Sequence, residues 1–304
     1  MAIEILSLLF FLGLGLVVQF RARSADVLRE RLWAAHFWTL VPALVFYAFS
    51  TVPFEAGIGL ALAAAILANW LVLAVGYAYA VLVSETREER GALALGAAFP
   101  NTGFVGYPLA QLIFGNPGLA LMVVYDRLAW LVPSVAISTA LARLHGRRET
   151  LRGPRQRLAS VLVNPPLVAA VAAVALRAAD VDVSAEVEPV GQIGSVLIGP
   201  VGFLLLGLAL PLGPPAHEVV ELRRAAGALL IRFAIAPLLL FACGSALGAS
   251  IPNVFYLGAA MPCAFNLVVL ARVFDLRPYL VRLLVVGSTI PALVTIALGV
   301  AVFR

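Results

Sequence analysis

The sequence predicts an all-α polytopic membrane protein of about ten transmembrane helices, arranged as two inverted five-helix repeats. Three observations predict it. The chain is 62% hydrophobic and 12% charged, with a mean hydropathy of +1.03, which excludes an ordinary soluble domain. Apolar runs long enough to span a bilayer recur along the whole chain, and the short loops between them alternate between arginine-rich and arginine-poor. Two of the runs, Ala98-Phe99-Pro100-Asn101-Thr102-Gly103-Phe104-Val105-Gly106-Tyr107-Pro108 and Ala260-Met261-Pro262-Cys263-Ala264-Phe265-Asn266, carry Pro, Gly and Asn where a span should be uninterrupted, in matching places of the two halves.

Taken in order, a span length of about 20 residues places helices at 2–20, 33–53, 57–83, 91–113, 118–142, 159–178, 188–211, 221–248, 253–274 and 279–303. Glu4 is the only early charge, with no basic stretch and no small-residue cleavage pattern, so the first run reads as a span rather than a signal peptide. Arg21, Arg23, Arg29 and Arg31 follow span one, Arg87 and Arg90 follow span three, and Arg143, Arg147, Arg148, Arg152, Arg155 and Arg157 follow span five. The opposite loops hold Glu55, the Asn116-Pro117-Gly118 turn, Asp180, Asp182, Glu186 and Glu188, and the Ala249-Ser250-Ile251-Pro252 turn, with Arg177 the one basic residue at their edge. There is no lysine. The positive-inside rule then puts the arginine loops in the cytoplasm and both termini outside.

An odd number of spans per half makes the halves lie with opposite orientation, so residues 1–142 form the first five-helix repeat, 143–158 a basic cytoplasmic linker, and 159–304 the second, inverted repeat. Landmarks correspond: Pro42 with Pro200, Pro100 with Pro262, and Phe114-Gly115-Asn116-Pro117 with Phe274-Asp275-Leu276-Arg277-Pro278. Unpaired backbone groups are costly in hydrocarbon, so a broken span survives only inside protein or beside a cavity, and paired breaks point to a transporter's substrate site. Pro100, Pro108 and Pro262 shape the breaks by removing donors. Asn101 and Asn266 either cap the breaks or reach a ligand through their amides. Gly103 and Gly106 either let a ligand approach the backbone or pack helices.

Other residues bound the function further. Cys243 and Cys263 lie in apolar runs without ligand-spaced partners, so no metal is expected and both read as packing thiols. The basic pI of about 9.7 comes from inter-span loops and implies no nucleic-acid partner. No cluster of acidic or His/Glu residues suits a membrane enzyme, and internal inverted repeats favour alternating access over a channel. Asp126 and Arg127, in span five, are the most interior ionisable pair; Asp126 is the candidate for proton or cation coupling, with a static charge pair as the alternative. Neighbours in a helix do not face one another, so the two are expected to do different jobs. Arg232 in span eight would neutralise Asp126 or attract an anion. His36 and Asn69 read as satisfied helix contacts, Tyr77 and Tyr79 as packing aromatics, and Arg272 and Asp275 as snorkelling residues.

The stretch Asn101-Thr102 through Gly106-Tyr107-Pro108 and Phe114-Gly115, with Met261-Pro262, Leu270-Ala271 and Phe274, and with Asn164-Pro165 opening span six, resembles the auxin efflux carrier family, the plant PIN-type carriers and their bacterial relatives. The resemblance covers essentially the whole chain. It implies a crossover of broken helices four and nine near the membrane centre, beside a scaffold domain, the plan shared with bile-acid-type symporters, and an elevator-type movement. The short arginine-rich linker in place of a long regulatory loop is similar to the bacterial branch, which implies the bacterial inner membrane. Where the family often has a second Pro in span nine, this chain has Leu267. Half-helix N-termini at a crossover favour an anion, so the expected activity is transport of a small organic anion, a carboxylate or weak acid such as malate or an auxin-like aromatic acid. The alternative is a sodium-coupled symporter of the bile-acid type. The candidate substrate residues are Asn101, Thr102, Gly103, Gly106, Pro108, Pro262, Ala264 and Asn266, with Asp126 and Arg127 the coupling candidates. No cofactor is expected beyond a coupling proton or sodium ion; the partners are the substrate, membrane lipid and, by resemblance, a second copy in a homodimer.

Overall fold

The computed structural model describes residues 2–21, 25–53, 56–132, 137–147, 164–210 and 219–302. Arg23, Glu55, and the linker from Arg148 onward, with Arg152, Arg155 and Arg157, lie outside them. Among the described residues the regular structure is helical, apart from one isolated antiparallel bridge between Pro100 and Cys263. Among the described residues seven helical segments are long and apolar enough to cross a membrane: Ile3–Arg21, Ala25–Thr51, Gly57–Val83, Thr102–Trp130 (interrupted at Gly115), Ser184–Ala209, Val220–Ala246 and Pro278–Thr295; Pro165–Ala178 is apolar but shorter. The protein is therefore a multi-pass membrane protein.

The elements are α1 (Ala2–Arg21), α2 (Ala25–Ala35), α3 (Val41–Thr51), α4 (Ala56–Val83), α5 (Arg87–Ala98), α6 (Tyr107–Val132), α7 (Ser138–His145), α8 (Pro165–Ala178), α9 (Ser184–Ala209), α10 (Val219–Leu230), α11 (Ala236–Ala246), α12 (Asn253–Ala259), α13 (Asn266–Phe274) and α14 (Pro278–Val302). Short π turns join α2 to α3 (His36–Leu40), lead into α6 (Thr102–Gly106) and join α10 to α11 (Ile231–Ile235). Two of them have a visible cause in the sequence. Pro42 and Pro237 lack the N–H that would serve the carbonyl four residues back, and the turn before each widens, with Val41 N–H reaching His36 O and Ala236 N–H reaching Ile231 O. The turn expected at Phe114–Pro117 divides α6 into two helical stretches: Gly115 sits at φ 67° and ψ −163°, which only glycine adopts easily, and Pro117 opens the second stretch. The matching turn after α13 also uses a left-handed residue, Asp275 at φ 55°.

The chain divides into two compact units that interleave along the sequence: unit one is Met1–Phe54, Gly103–Arg127 and Arg152–Leu210, and unit two is Glu55–Thr102, Leu128–Leu151 and Pro211–Arg304. In unit one, α1 and α9 touch backbone to backbone: a Cβ on Gly207 would lie 2.2 Å from Leu12 O, and one on Gly15 would lie 2.4 Å from Leu204 O. Without a hydrophobic driving force between helices in lipid, such close approach supplies the packing that holds them. Tyr47 and Leu44 of α3 fill the space over Gly191 and Gly194 of α9. Arg177, at the end of α8, donates through Nη1 to Val52 O at 2.7 Å, so it caps the C-terminus of α3.

In unit two, α5 lies at the centre, buried from Gly91 to Ala98. Its glycines admit neighbours: Leu284 of α14 sits over Gly96, and His145 of α7 over Gly91. Thr86 caps α5 by accepting from Glu89 N–H, while the Glu89 carboxylate accepts from the N–H of Glu85, the residue before the cap. Arg224 then bridges Glu89 and Glu85, and Tyr79 donates to Arg224 O at 2.8 Å. At the edge of the same unit Arg147 bonds Glu88 at 2.7 Å, which holds the Glu88 carboxyl below its ordinary range.

Candidate functional site

The first break is built by Pro100 and the second by Pro262. α5 ends at Ala98 because the residue before a proline is pushed into the extended region, and Phe99 takes φ −96° and ψ 115°. α12 ends at Ala259, three residues before Pro262. The two extended stretches pair with each other: Asn101 N–H donates to Pro262 O at 2.7 Å, and Ala264 N–H donates to Phe99 O at 2.8 Å, around the Pro100–Cys263 bridge. Backbone groups that each broken helix cannot satisfy internally are thus satisfied by the other break, which is what hydrocarbon burial demands. Helix resumes at Thr102 after the first break and at Asn266 after the second.

Polar side chains complete this crossing within unit two. Cys263 N–H donates to Ser288 Oγ at 3.0 Å, Ser288 donates to Val285 O at 3.1 Å, and the Cys263 thiol donates to Gly96 O at 3.0 Å. Cys263 therefore does more than fill space. Arg232, fully buried, donates through Nη1 to Ala98 O and through Nη2 to Ala259 O, and its guanidinium carbon lies 6.0 Å from the Trp130 ring centroid. Those two carbonyls are the last residues of α5 and α12. Sequence reasoning cast Arg232 as a partner for Asp126 or an anion; the structure puts its donors on the ends of the two broken helices. The signal was present as an arginine five residues before Pro237, in a turn that the proline widens.

The expected substrate residues fall into three groups. Asn101 (3% exposed), Thr102 (4% exposed), Pro262 and Ala264 meet at the crossing in unit two. Asn266 also belongs to unit two but is exposed, as the first residue of α13. Gly103, Gly106 and Pro108 belong to unit one. A Cβ on Gly103 would meet no described atom within 4 Å, so helix packing is not its reason. Gly106 and Pro108 are buried, and Pro108 lines a cavity of about 430 Å³ in unit one with Glu4, Ser7, Gln111, Ser195 and Gly199 among its other walls. Nearby in the same unit, His36 stacks on Phe104 with ring centroids 5.1 Å apart.

Asp126 and Arg127 do meet, contrary to the expectation from helix geometry. Arg127 Nη2 lies 2.7 Å from Asp126 Oδ2, Tyr107 donates to the same oxygen at 2.6 Å, and Arg127 donates to the Tyr107 hydroxyl from Nη2 at 3.1 Å and Nε at 3.3 Å. Tyr107 lies 19 residues before Asp126, and the non-helical Gly115 between them divides α6 into two helical stretches, so the phenol reaches the pair from the stretch before the turn; a periodicity argument within one helix did not allow for this third group. Tyr107 belongs to the first-break motif and was not singled out for this role.

Among curated proteins none matches the chain. A family model described as membrane transport protein matches residues 35–300, most of the length, both breaks, Arg232 and the Asp126–Arg127 pair included. The chain belongs to this family of membrane transporters, the auxin efflux carrier or PIN-like family.

Proposed function

We propose that the protein is a secondary transporter for small organic anions, carboxylates or weak acids, working by elevator-type alternating access. In this reading it has ten transmembrane helices in two inverted repeats and forms a homodimer in the bacterial inner membrane, with both termini outside. Unit two, which holds the crossing, is the transport element and unit one the scaffold. The observation that supports this most is the reciprocal pairing of the two breaks, Asn101 N–H to Pro262 O and Ala264 N–H to Phe99 O. Irregular backbone at membrane depth is tolerated where it is buried in protein or lines a cavity, and each break is followed by a helix start whose positive dipole end favours a carboxylate. Asn101 adds an amide that donates and accepts. Asp126, held between Tyr107 and Arg127, is the proposed coupling carboxylate.

The test is charge movement on a solid-supported membrane with the purified protein in liposomes, challenged with dicarboxylates, aromatic acids and amines. An anion current that falls by at least ~10-fold in Asn101→Ala is expected, the loss of one charge-assisted hydrogen bond. An anion current indifferent to Asn101 removes the crossing as the substrate site, and a response to amines alone removes the anion assignment.

A further inference from the structure

The cavity of about 430 Å³ in unit one has the volume of a small-ligand pocket and a one-sided chemistry. Its polar walls are Glu4, Ser7, Gln111 and Ser195, and none of the described residues lining it is basic. Gln111 turns its amide nitrogen to Asn116 Oδ1 at 2.9 Å, and its amide oxygen accepts from no described group. Ser195 Oγ donates to Gln192 O at 2.7 Å, so that hydroxyl offers the cavity lone pairs rather than a proton. Glu4 adds a carboxylate. Walls of this kind suit a cation that carries N–H groups and repel an anion. The place is as specific as the chemistry. Glu4 stands in the first turn of α1, and Gln111 stands one turn before Gly115 ends the first stretch of α6, so both lie near the ends of spanning segments, at the depth of a lipid headgroup. The other walls are apolar, and two of them, Ile3 and Val196, are 83% and 72% exposed, so the cavity opens on a face that spanning helices present to lipid. From that mouth Ile3, Leu6 and Phe10, at helical spacing, continue along α1 as one exposed apolar stripe.

We propose that this cavity binds a phospholipid whose headgroup ends in a primary ammonium, as in phosphatidylethanolamine: the ammonium donates to Glu4 and the neighbouring acceptors, and an acyl chain lies along the Ile3–Leu6–Phe10 stripe. A primary ammonium brings three N–H donors where a choline headgroup brings none, so acceptor walls select the first. A glycerol headgroup brings hydroxyls but no positive charge, and its lipid carries a net negative charge to a cavity walled by Glu4. All the described walls belong to unit one and the crossing belongs to unit two, so the proposal goes beyond the carrier reading and does not depend on it.

The experiment follows thermal unfolding of the purified full-length protein in detergent by tryptophan fluorescence. The protein is titrated with phosphatidylethanolamine, phosphatidylcholine or phosphatidylglycerol of the same short acyl chains, and separately with free ethanolamine. Phosphatidylethanolamine is expected to raise the midpoint in a saturable way, by mass action on the folded state. The choline and glycerol lipids should need at least ~10-fold more for half-saturation. Glu4→Gln, read against its own lipid-free midpoint, should raise the half-saturating concentration of phosphatidylethanolamine by at least ~10-fold, the loss of one charge-assisted hydrogen bond. Ser195→Leu, which enlarges a side chain of the cavity wall, should remove the response. Equal half-saturation by the ethanolamine and choline lipids, tighter binding of the glycerol lipid, or a phosphatidylethanolamine response indifferent to either variant overturns the proposal. Free ethanolamine acting at the concentration of the lipid also overturns it, since the cavity then takes a soluble amine. If Glu4→Gln cannot be purified, the headgroup comparison on the wild type and Ser195→Leu decide by the same outcomes. None of these readouts depends on transport, so failure of the anion assignment and failure of this one are separate results.

Discussion

The two units handle arginine within their helices in opposite ways, half-buried Arg127 in the first and fully buried Arg232 in the second. In unit one, Arg127 is set against its own neighbour Asp126 and the Tyr107 hydroxyl, side chains from the two helical stretches on either side of Gly115. In unit two, Arg232 is set against the carbonyl ends of two interrupted helices. The first solution sets side chain against side chain. The second needs the backbone to be broken, since only a helix end offers bare carbonyls to a cation. A buried charge therefore tells little by its presence; what it faces distinguishes a local ion pair from a part of the chain's architecture. The same contrast extends to packing, where unit one relies on the Gly15–Gly207 approach of two long helices and unit two on hydrogen bonds around a break.

The largest expected effect tests that contrast directly. Arg232→Ala should destabilise by about 3–5 kcal/mol, because two buried helix ends lose the charged donors that satisfy them. Arg127→Ala should lose less, since Asp126 keeps the Tyr107 hydroxyl. Equal losses in detergent unfolding would erase the distinction. Next comes the glycine contact of unit one: Gly207→Ala drives a methyl into Leu12 O, backbone that cannot yield cheaply, for a loss of about 1–3 kcal/mol. The same substitution at Gly103, where the space is open, should be near neutral for stability, and a comparable loss there would show that open space was misjudged.

A smaller effect separates a local cluster from an architectural one. Asp126→Asn and Arg127→Gln should couple by about 1–2 kcal/mol in a double-mutant cycle, the double variant melting above the sum of the singles. Additivity would mean that the cluster is two independent contacts. The smallest effect lies outside the spans of unit two. His145 is buried under α5 beside Tyr77, and burial, then Arg90 and Arg87, pull its pKa below the ordinary 6.5. With the folded value depressed, the neutral ring's contribution is complete above about pH 6.5 and is lost as pH falls through the folded value. The wild-type midpoint should drop between pH ~7.5 and ~5 by more than that of His145→Gln, and parallel curves would place the pH sensitivity elsewhere.

Much of this was legible in the residues, and the reasons are specific. Pro100 and Pro262 announced the breaks because a proline removes a donor wherever it stands, and the Phe114–Pro117 and Phe274–Pro278 stretches announced turns that Gly115 and Asp275 make at positive φ. The long apolar runs announced spans because bilayer thickness sets a length. Other readings failed where the outcome depended on reach. Asp126 and Arg127 were kept apart by a rule about helix faces, whereas the flexible arginine stem and the distant Tyr107 allowed them to meet. For Arg232 the sequence suggested Asp126 or an anion as its partner, because sequence lists charges, and gave no sign of the carbonyl ends of two separate breaks to which it donates.

By itself the sequence determined that this is a helical membrane protein interrupted at two corresponding places, since hydropathy and proline act locally and need no knowledge of neighbours. Only the tertiary structure decided what the interruptions do to each other. Phe99–Asn101 and Pro262–Ala264 lie more than half the chain apart, and nothing in either segment specifies a partner. Their pairing, and the place of Arg232 across Ala98 and Ala259, follow from burying every exposed backbone group at once, a condition that can be met only by the folded chain as a whole.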